Sequence, residues 1–232
     1  MAIRGVLFDL FGTLVDYDAG RTTQDFGALA DLVESVNLSL DVVLGAFNDA
    51  FAHLDNWTLA TGREYHMDAV ANEVLTRLPV DSAALLPADL IDAYITGWSS
   101  AVTPVPGIDT FITGCSRHFA TGVVTNTHYP PMVEKLLREM RVDNVVQTVV
   151  TSVEHGRPKP DPSIFEVACR ALDLPPAECL YVGDNYQADY VGATNAGLTC
   201  YLVGQHARVP REYQLPSVLD LSAPLRRIVA RR

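Results

Sequence analysis

The chain has 232 residues, 48% hydrophobic and 19% charged, with 15 Gly and 14 Pro, a composition that excludes a disordered, collagen-like or disulfide-dense protein. Seventeen Lys and Arg stand against 28 Asp and Glu, a formal charge of −11. Such a body repels nucleic acid and anionic membrane over most of its surface, so an anionic small-molecule substrate must be drawn in by local positive charge. No apolar run approaches the ~20 residues of a membrane span. Residues 3–8, IRGVLF, are too short for a signal peptide, and the four cysteines show no CxxC spacing. Reduced thiols and a cytoplasmic location are expected.

In chain order, IRGVLF reads as a strand that ends at Asp9 and the turn DLFGTLVD. A continuous apolar run predicts a strand buried on both faces, as in a parallel sheet covered by helices. From about Arg21 to Ser99 the spacing is helical. Val42, Val43, Ala46, Phe47, Ala50, Phe51 and Leu54 recur at intervals of three and four, between an N-cap at Ser39 and a helix end at Gly62. Further helices are predicted over 67–78 and 87–98, giving a small bundle. Punctuation returns at Pro104, Pro106 and Gly107. Strands then follow at 120–125, 147–151, 179–183 and 199–203. Helices lie between them at about 108–117, 130–140, 162–173 and 186–196, with a last one near 218–231. Alternation with short loops predicts a doubly wound parallel α/β sheet. Its first strand lies before the helical block, so the economical reading is a Rossmann-like core of residues 1–16 and 103–232, interrupted by a helical insert of 17–102.

Ligands of open α/β sheets bind beyond the carboxyl ends of the strands. Those ends carry Asp9 with Thr13, then Thr125 with Asn126, then Lys159 in HGRPKPDPSIF, then Asp184 and Asn185 in GDN with Asp189 beyond. Three carboxylates around one lysine raise each other's pKa unless more positive charge arrives. An all-oxygen set of this kind suits Mg²⁺, which keeps several waters and accepts substrate phosphate. Asp9 is then a candidate nucleophile, and Thr125 and Lys159 are candidates for stabilising the equatorial oxygens of a transferring phosphoryl group. Thr13, Asn126 and Asn185 are substrate-lining candidates. In the insert, Arg63, Tyr65 and His66 of GREYH are candidates for holding a substrate anion.

FDLFGTLVD, VVTNT, the KPDPSIF loop and VGDNYQADYVGATNAG stand in order and resemble the four signature motifs of the haloacid dehalogenase superfamily of hydrolases, across residues 1–16 and about 103–205. The resemblance implies a helical cap between the first and second motifs and a small anionic substrate; monomer and homodimer both stay open, since no exposed apolar stripe stands out from the core pattern. It implies Asp9 as nucleophile, Thr125 and Lys159 on the transferring group, and Mg²⁺ held by Asp9, Asp184 and the backbone carbonyl of Phe11. Asp189 is implied to support the metal through its water shell or to orient Lys159. Phosphatases of the superfamily carry a second Asp, a general acid, where this chain has Phe11. A good leaving group, an acid from the insert such as His66 or Tyr65, or chemistry that needs no acid would each accommodate the change. The last is the route of metal-independent 2-haloacid dehalogenases, which have an aromatic residue at the Phe11 position. They replace Asp184 with neutral residues, however, and tend to carry Tyr at the Phe165 position. A small phosphomonoester is the expected substrate, against the alternatives of a 2-haloacid and of a catalytically weak phosphate-binding protein.

Overall fold

The computed structural model describes residues 2–17, 24–79 and 84–230. Two compact units emerge, Met1–Asp16 with Thr103–Arg232, and Tyr17–Val102.

The first unit is built on a six-stranded sheet in the order β5-β4-β1-β6-β7-β8. Strand β1 is Gly5–Phe8, β4 Ala120–Thr125, β5 Thr148–Thr151, β6 Cys179–Gly183, β7 Thr199–Val203 and β8 Gln214–Leu215. Every pairing is parallel. All four residues of β1 are buried, as its unbroken apolar run requires of a strand covered on both faces. The covering helices include α5 (Ile108–Ser116), α6 (Pro130–Glu139) and α8 (Pro162–Ala171). Leu7, Val124, Ile164, Phe165, Ala168 and Tyr181 form the heart of one packed cluster. Because β1 lies between β4 and β6, the chain leaves it to either side, and a crevice opens at the carboxyl ends of the three strands. A two-stranded antiparallel ribbon, β2 (Val15–Asp16) with β3 (Thr103–Pro104), marks where the chain leaves and re-enters this unit.

The second unit has helices α1 (Gly27–Glu34), α2 (Leu40–Thr61), α3 (Met67–Arg77) and α4 (Pro87–Ser99) among its described residues. The predicted ends of α2 hold: Ser39 Oγ accepts from the Val42 amide at 3.4 Å, and Gly62 closes the helix at φ 66°. Tyr94 stacks on Phe47 at 4.1 Å between centroids, with Phe26 and Phe51 against it. Residues 21–23 and 80–83, part of the predicted helical block, lie outside the described residues. No described helix is long and apolar enough to cross a membrane.

Two predicted helices differ in form. In place of one helix over 186–196, a π-helical turn, Tyr186–Val191, runs into a short α9, Gly192–Asn195. The Asn185 carbonyl accepts from both the Asp189 and Tyr190 amides, which widens the turn; such turns are frequent at functional sites. The helix expected near 218–231 is split into a 3₁₀ turn, Val218–Leu221, and α10, Ser222–Val229. Pro224 has no amide to donate and its ring would strike the carbonyl of residue 220 in a continuous helix, so the α-helix starts afresh. A further short helix, α7, Ser152–His155, follows β5.

Candidate active site

Asp9 takes its place from the sheet, since its amide donates to the Val182 carbonyl of β6 at 2.8 Å. The chain then turns sharply. The Leu10 carbonyl accepts from Thr13, Leu14 and Val15, with Gly12 at φ 81°. This is a left-handed conformation that an L side chain rarely adopts, and any Cβ here would overlap the Asp184 carboxyl group. The turn tucks Thr13 back under the strand end. Thr13 and Thr125 are both 1% exposed. The hydroxyl of each is buried with no hydrogen-bond partner among the described residues. A buried polar atom left unmade costs about 1–3 kcal/mol, so two such hydroxyls at adjacent strand ends mark a place where a polar ligand belongs.

Lys159 is held from behind. Its amide donates to Asn126 Oδ1 at 2.8 Å, and Asn126 Nδ2 donates to its carbonyl at 3.1 Å. Its ammonium donates to Asp9 Oδ1 at 2.7 Å, Asp189 Oδ1 at 2.6 Å and the Tyr181 hydroxyl at 3.0 Å. Asp189, wholly buried, also accepts from the Asn185 amide at 2.9 Å through Oδ2. One carboxylate oxygen from each of Asp9, Asp184 and Asp189 lies within 4.8 Å of the other two.

Three carboxylates and one ammonium leave this pocket short of positive charge. Burial pushes the Asp9 carboxyl up to about 7; Lys159 pulls against that and Asp189 adds to it. Asp184 is raised by its burial and then by Asp189. Burial alone would favour a neutral Lys159, but the Asp189 and Asp9 carboxylates outweigh it and hold the ammonium charged beyond its ordinary range. Lys159 and Tyr181 already occupy Asp189 Oδ1 and Asn185 occupies Oδ2. That leaves Asp9 and Asp184 as the carboxylates fit for direct contact with a cation. Hard oxygen donors and a surplus of buried negative charge suit Mg²⁺.

The structure thus brings together Asp9, Lys159, Asp184 and Asp189, with Thr13 in the turn that follows Asp9 and Thr125 at the end of the neighbouring strand β4. Asn126 and Asn185, the further substrate-lining candidates of this unit, have backbone partners. Asn126 spends its amide on the Lys159 backbone, and Asn185 Oδ1 accepts from the Gln187 and Ala188 amides as a cap. Asp189, expected either to support a metal through its water shell or to orient Lys159, accepts from the Lys159 ammonium. Arg63, Tyr65 and His66 belong to the helical unit, where Arg63 and His66 are exposed. Tyr65 is 5% exposed and donates to Asp55 Oδ1 at 2.6 Å. Burial and that carboxylate raise its pKa above the ordinary tyrosine value, making it a weaker acid. Tyr181 is the residue that sequence reasoning passed over, because an aromatic in an apolar strand reads as core.

A family profile described as haloacid dehalogenase-like hydrolase matches residues 3–197. The chain is 26% identical over 232 residues to the glyceraldehyde 3-phosphate phosphatase of Pyrococcus furiosus, with 94% of this chain and 92% of that one aligned. It is 34% identical over 114 residues to haloacid dehalogenase-like hydrolase domain-containing protein 3 of Homo sapiens, a match that spans 46% of this chain and only 45% of the relative. The 2-haloacid dehalogenase from Pseudomonas syringae pv. Tomato DC3000 superposes with a TM-score of 0.72 at 19% identity, over 97% of this chain and 99% of that one, a likeness of fold.

Proposed function

The chain belongs to the haloacid dehalogenase-like hydrolases, and from that membership we propose that it is a Mg²⁺-dependent phosphatase of small phosphomonoesters, acting through an aspartyl phosphate on Asp9. The observation that carries the reading is the carboxylate of Asp184 clustered with those of Asp9 and Asp189. A third acidic group beside an anionic haloacid would repel it, whereas around a divalent cation it is an asset. The name of the Pyrococcus furiosus relative, aligned over nearly its whole length, supports the same choice.

Mg²⁺, which Asp9, Asp184 and the Phe11 carbonyl would hold, supplies charge neutralisation and a docking point for phosphate oxygens. The chain's own groups account for the bond changes. An Asp9 carboxylate oxygen attacks phosphorus, and the bond from phosphorus to the leaving oxygen breaks, the alkoxide taking its proton from solvent water. Lys159 and the Thr125 hydroxyl donate to the non-bridging oxygens as charge develops there. Thr13, the other orphaned hydroxyl, offers a further donor at the same strand ends. Water then attacks phosphorus, its proton passing to solvent; the bond from phosphorus to the Asp9 oxygen breaks, which returns the carboxylate and releases inorganic phosphate.

Phe11 supports hydrolytic dehalogenation as the second reading, because halide departs without a proton. One measurement separates the readings: phosphate and halide release across panels of phosphomonoesters and 2-haloacids, each with Mg²⁺ and with EDTA. Phosphate release that EDTA abolishes is the expected result. Halide release undiminished by EDTA overturns the proposal in favour of the dehalogenase. Phosphate and Mg²⁺ binding without turnover on either panel overturns it in favour of a binding protein.

A further inference from the structure

We infer that Tyr181 is a positioning residue whose hydroxyl, together with Asp189, aims the Lys159 ammonium at Asp9. Tyr181 sits in β6 and is wholly buried. A phenylalanine would fill nearly the same volume there, and the ring is already fixed by packing: it meets Phe165 edge-on at 4.9 Å and 88°. The hydroxyl is what volume does not explain. It lies 3.0 Å from Lys159 Nζ, 3.0 Å from Asp189 Oδ1 and 2.9 Å from the Val124 carbonyl. The hydroxyl donates to the Val124 carbonyl or to Asp189 Oδ1 and accepts from Lys159 Nζ. The oxygen lone pair faces the ammonium.

An ammonium has three N–H donors and no acceptor. At Lys159 all three are taken, by Asp9, Asp189 and Tyr181. Two of these acceptors stand on or just after β6 and do not change in the reaction. Asp9 is the group that becomes phosphorylated. With two donors tied to Asp189 and Tyr181, the third has one direction left, towards position 9 and whatever is bonded to it. Tyr181 does this as a neutral oxygen, so it aims the lysine without adding a further acidic group to a pocket that already holds three. The catalytic consequence rests on the phosphatase reading; the aiming of the ammonium does not.

The test is built to keep those two apart. In ¹⁵N-labelled metal-free protein, the ammonium resonance of Lys159, assigned by its loss in Lys159→Met, reports its hydrogen bonds directly. Tyr181→Phe should leave the amide spectrum folded and speed proton exchange at the Lys159 ammonium by about tenfold, since a hydrogen bond to a charged group is lost. Exchange unchanged from wild type overturns the inference. If Tyr181→Phe does not fold, 3-fluorotyrosine placed at 181 keeps the ring and weakens its oxygen as an acceptor, so a smaller rise in exchange is expected and none overturns it. On a phosphomonoester, Tyr181→Phe should lower kcat about tenfold with KM changed less than twofold, and should add nothing in a Lys159→Met background. Additive losses in the two backgrounds would mean a structural role and overturn the inference. A faster-exchanging ammonium in a protein whose wild type releases no phosphate would sink the phosphatase reading and leave the aiming of Lys159 standing.

Discussion

Asp9→Asn is expected to abolish turnover and, in metal-free protein at pH 8, to raise the melting temperature. Loss of turnover would follow from loss of the proposed nucleophile, and beryllium fluoride, a phosphate mimic, should lose its anchor at the same position. The gain in stability follows from the charge imbalance. Asp9 is 5% exposed, and its pKa is raised by burial to about 7 from an ordinary 3.8. Below pH 4 the group is protonated in folded and unfolded chains alike and its contribution is fully present. Between pH 4 and 7 only the unfolded chain releases the proton, so stability falls as pH rises. Above pH 7 the loss is complete. An asparagine never ionises, its oxygen can still accept from Lys159, and Asp189 remains as counter-ion at 2.6 Å. The variant should therefore match wild type near pH 4 and exceed it at pH 8, on a scale of about 2–4 °C per kcal/mol for a chain of this size. Saturating Mg²⁺ should reverse the order, because a ligand that binds only the folded state stabilises it and the variant has lost one of the two carboxylates proposed to hold it. Thermal melts at pH 5 and pH 8, with EDTA and with Mg²⁺, check both signs. A variant less stable than wild type in EDTA at pH 8 would show that Asp9 is not the strained member of the cluster.

What the sequence made legible was whatever is decided locally. β4, β6 and β7 begin and end at the residues their apolar runs predict, and α2 stops where Gly62 supplies the left-handed residue. Asp9, Thr125, Lys159 and Asp184 were readable because the carboxyl end of a parallel strand is a place in sequence as well as in space. The partners of those residues were not, because they depend on which strand lies beside which. Tyr181 reaches Lys159 only because β6 pairs with β1 and the lysine loop folds over that edge. Asn126 reads as a loop polar residue until the loop carrying Lys159 is laid against it. The π-helical turn was hidden for a related reason. Its wide spacing is set by Asn185 taking two amides at once and by Asp189 returning to the lysine, neither of which leaves a periodic mark.

Phe11→Asp is expected to accelerate hydrolysis of alkyl phosphates by about 10²–10⁴-fold, the range that a positioned general acid contributes. An activated aryl phosphate should change little. Wild type has phenylalanine on the turn immediately after Asp9, where it can neither protonate a departing alkoxide nor take a proton from an attacking water. Of the insert's candidates to replace it, Tyr65 is committed to Asp55 and is a poorer acid than free tyrosine. The wild-type rate should therefore depend steeply on the leaving group's own pKa, with p-nitrophenyl phosphate far ahead of an alkyl ester. A carboxyl group at 11 should flatten that dependence and introduce a falling limb at high pH, where the acid ionises. Phe11 is half-buried, so the smaller side chain removes some packing, which thermal melting would register separately from kcat. The decisive comparison is the slope of log kcat against leaving-group pKa in the two proteins. A wild-type slope already near zero would mean that a proton donor other than position 11 serves the reaction. Halide released by wild type and lost on introducing the carboxyl would point instead to chemistry at carbon, with Phe11 as part of the apolar wall around it.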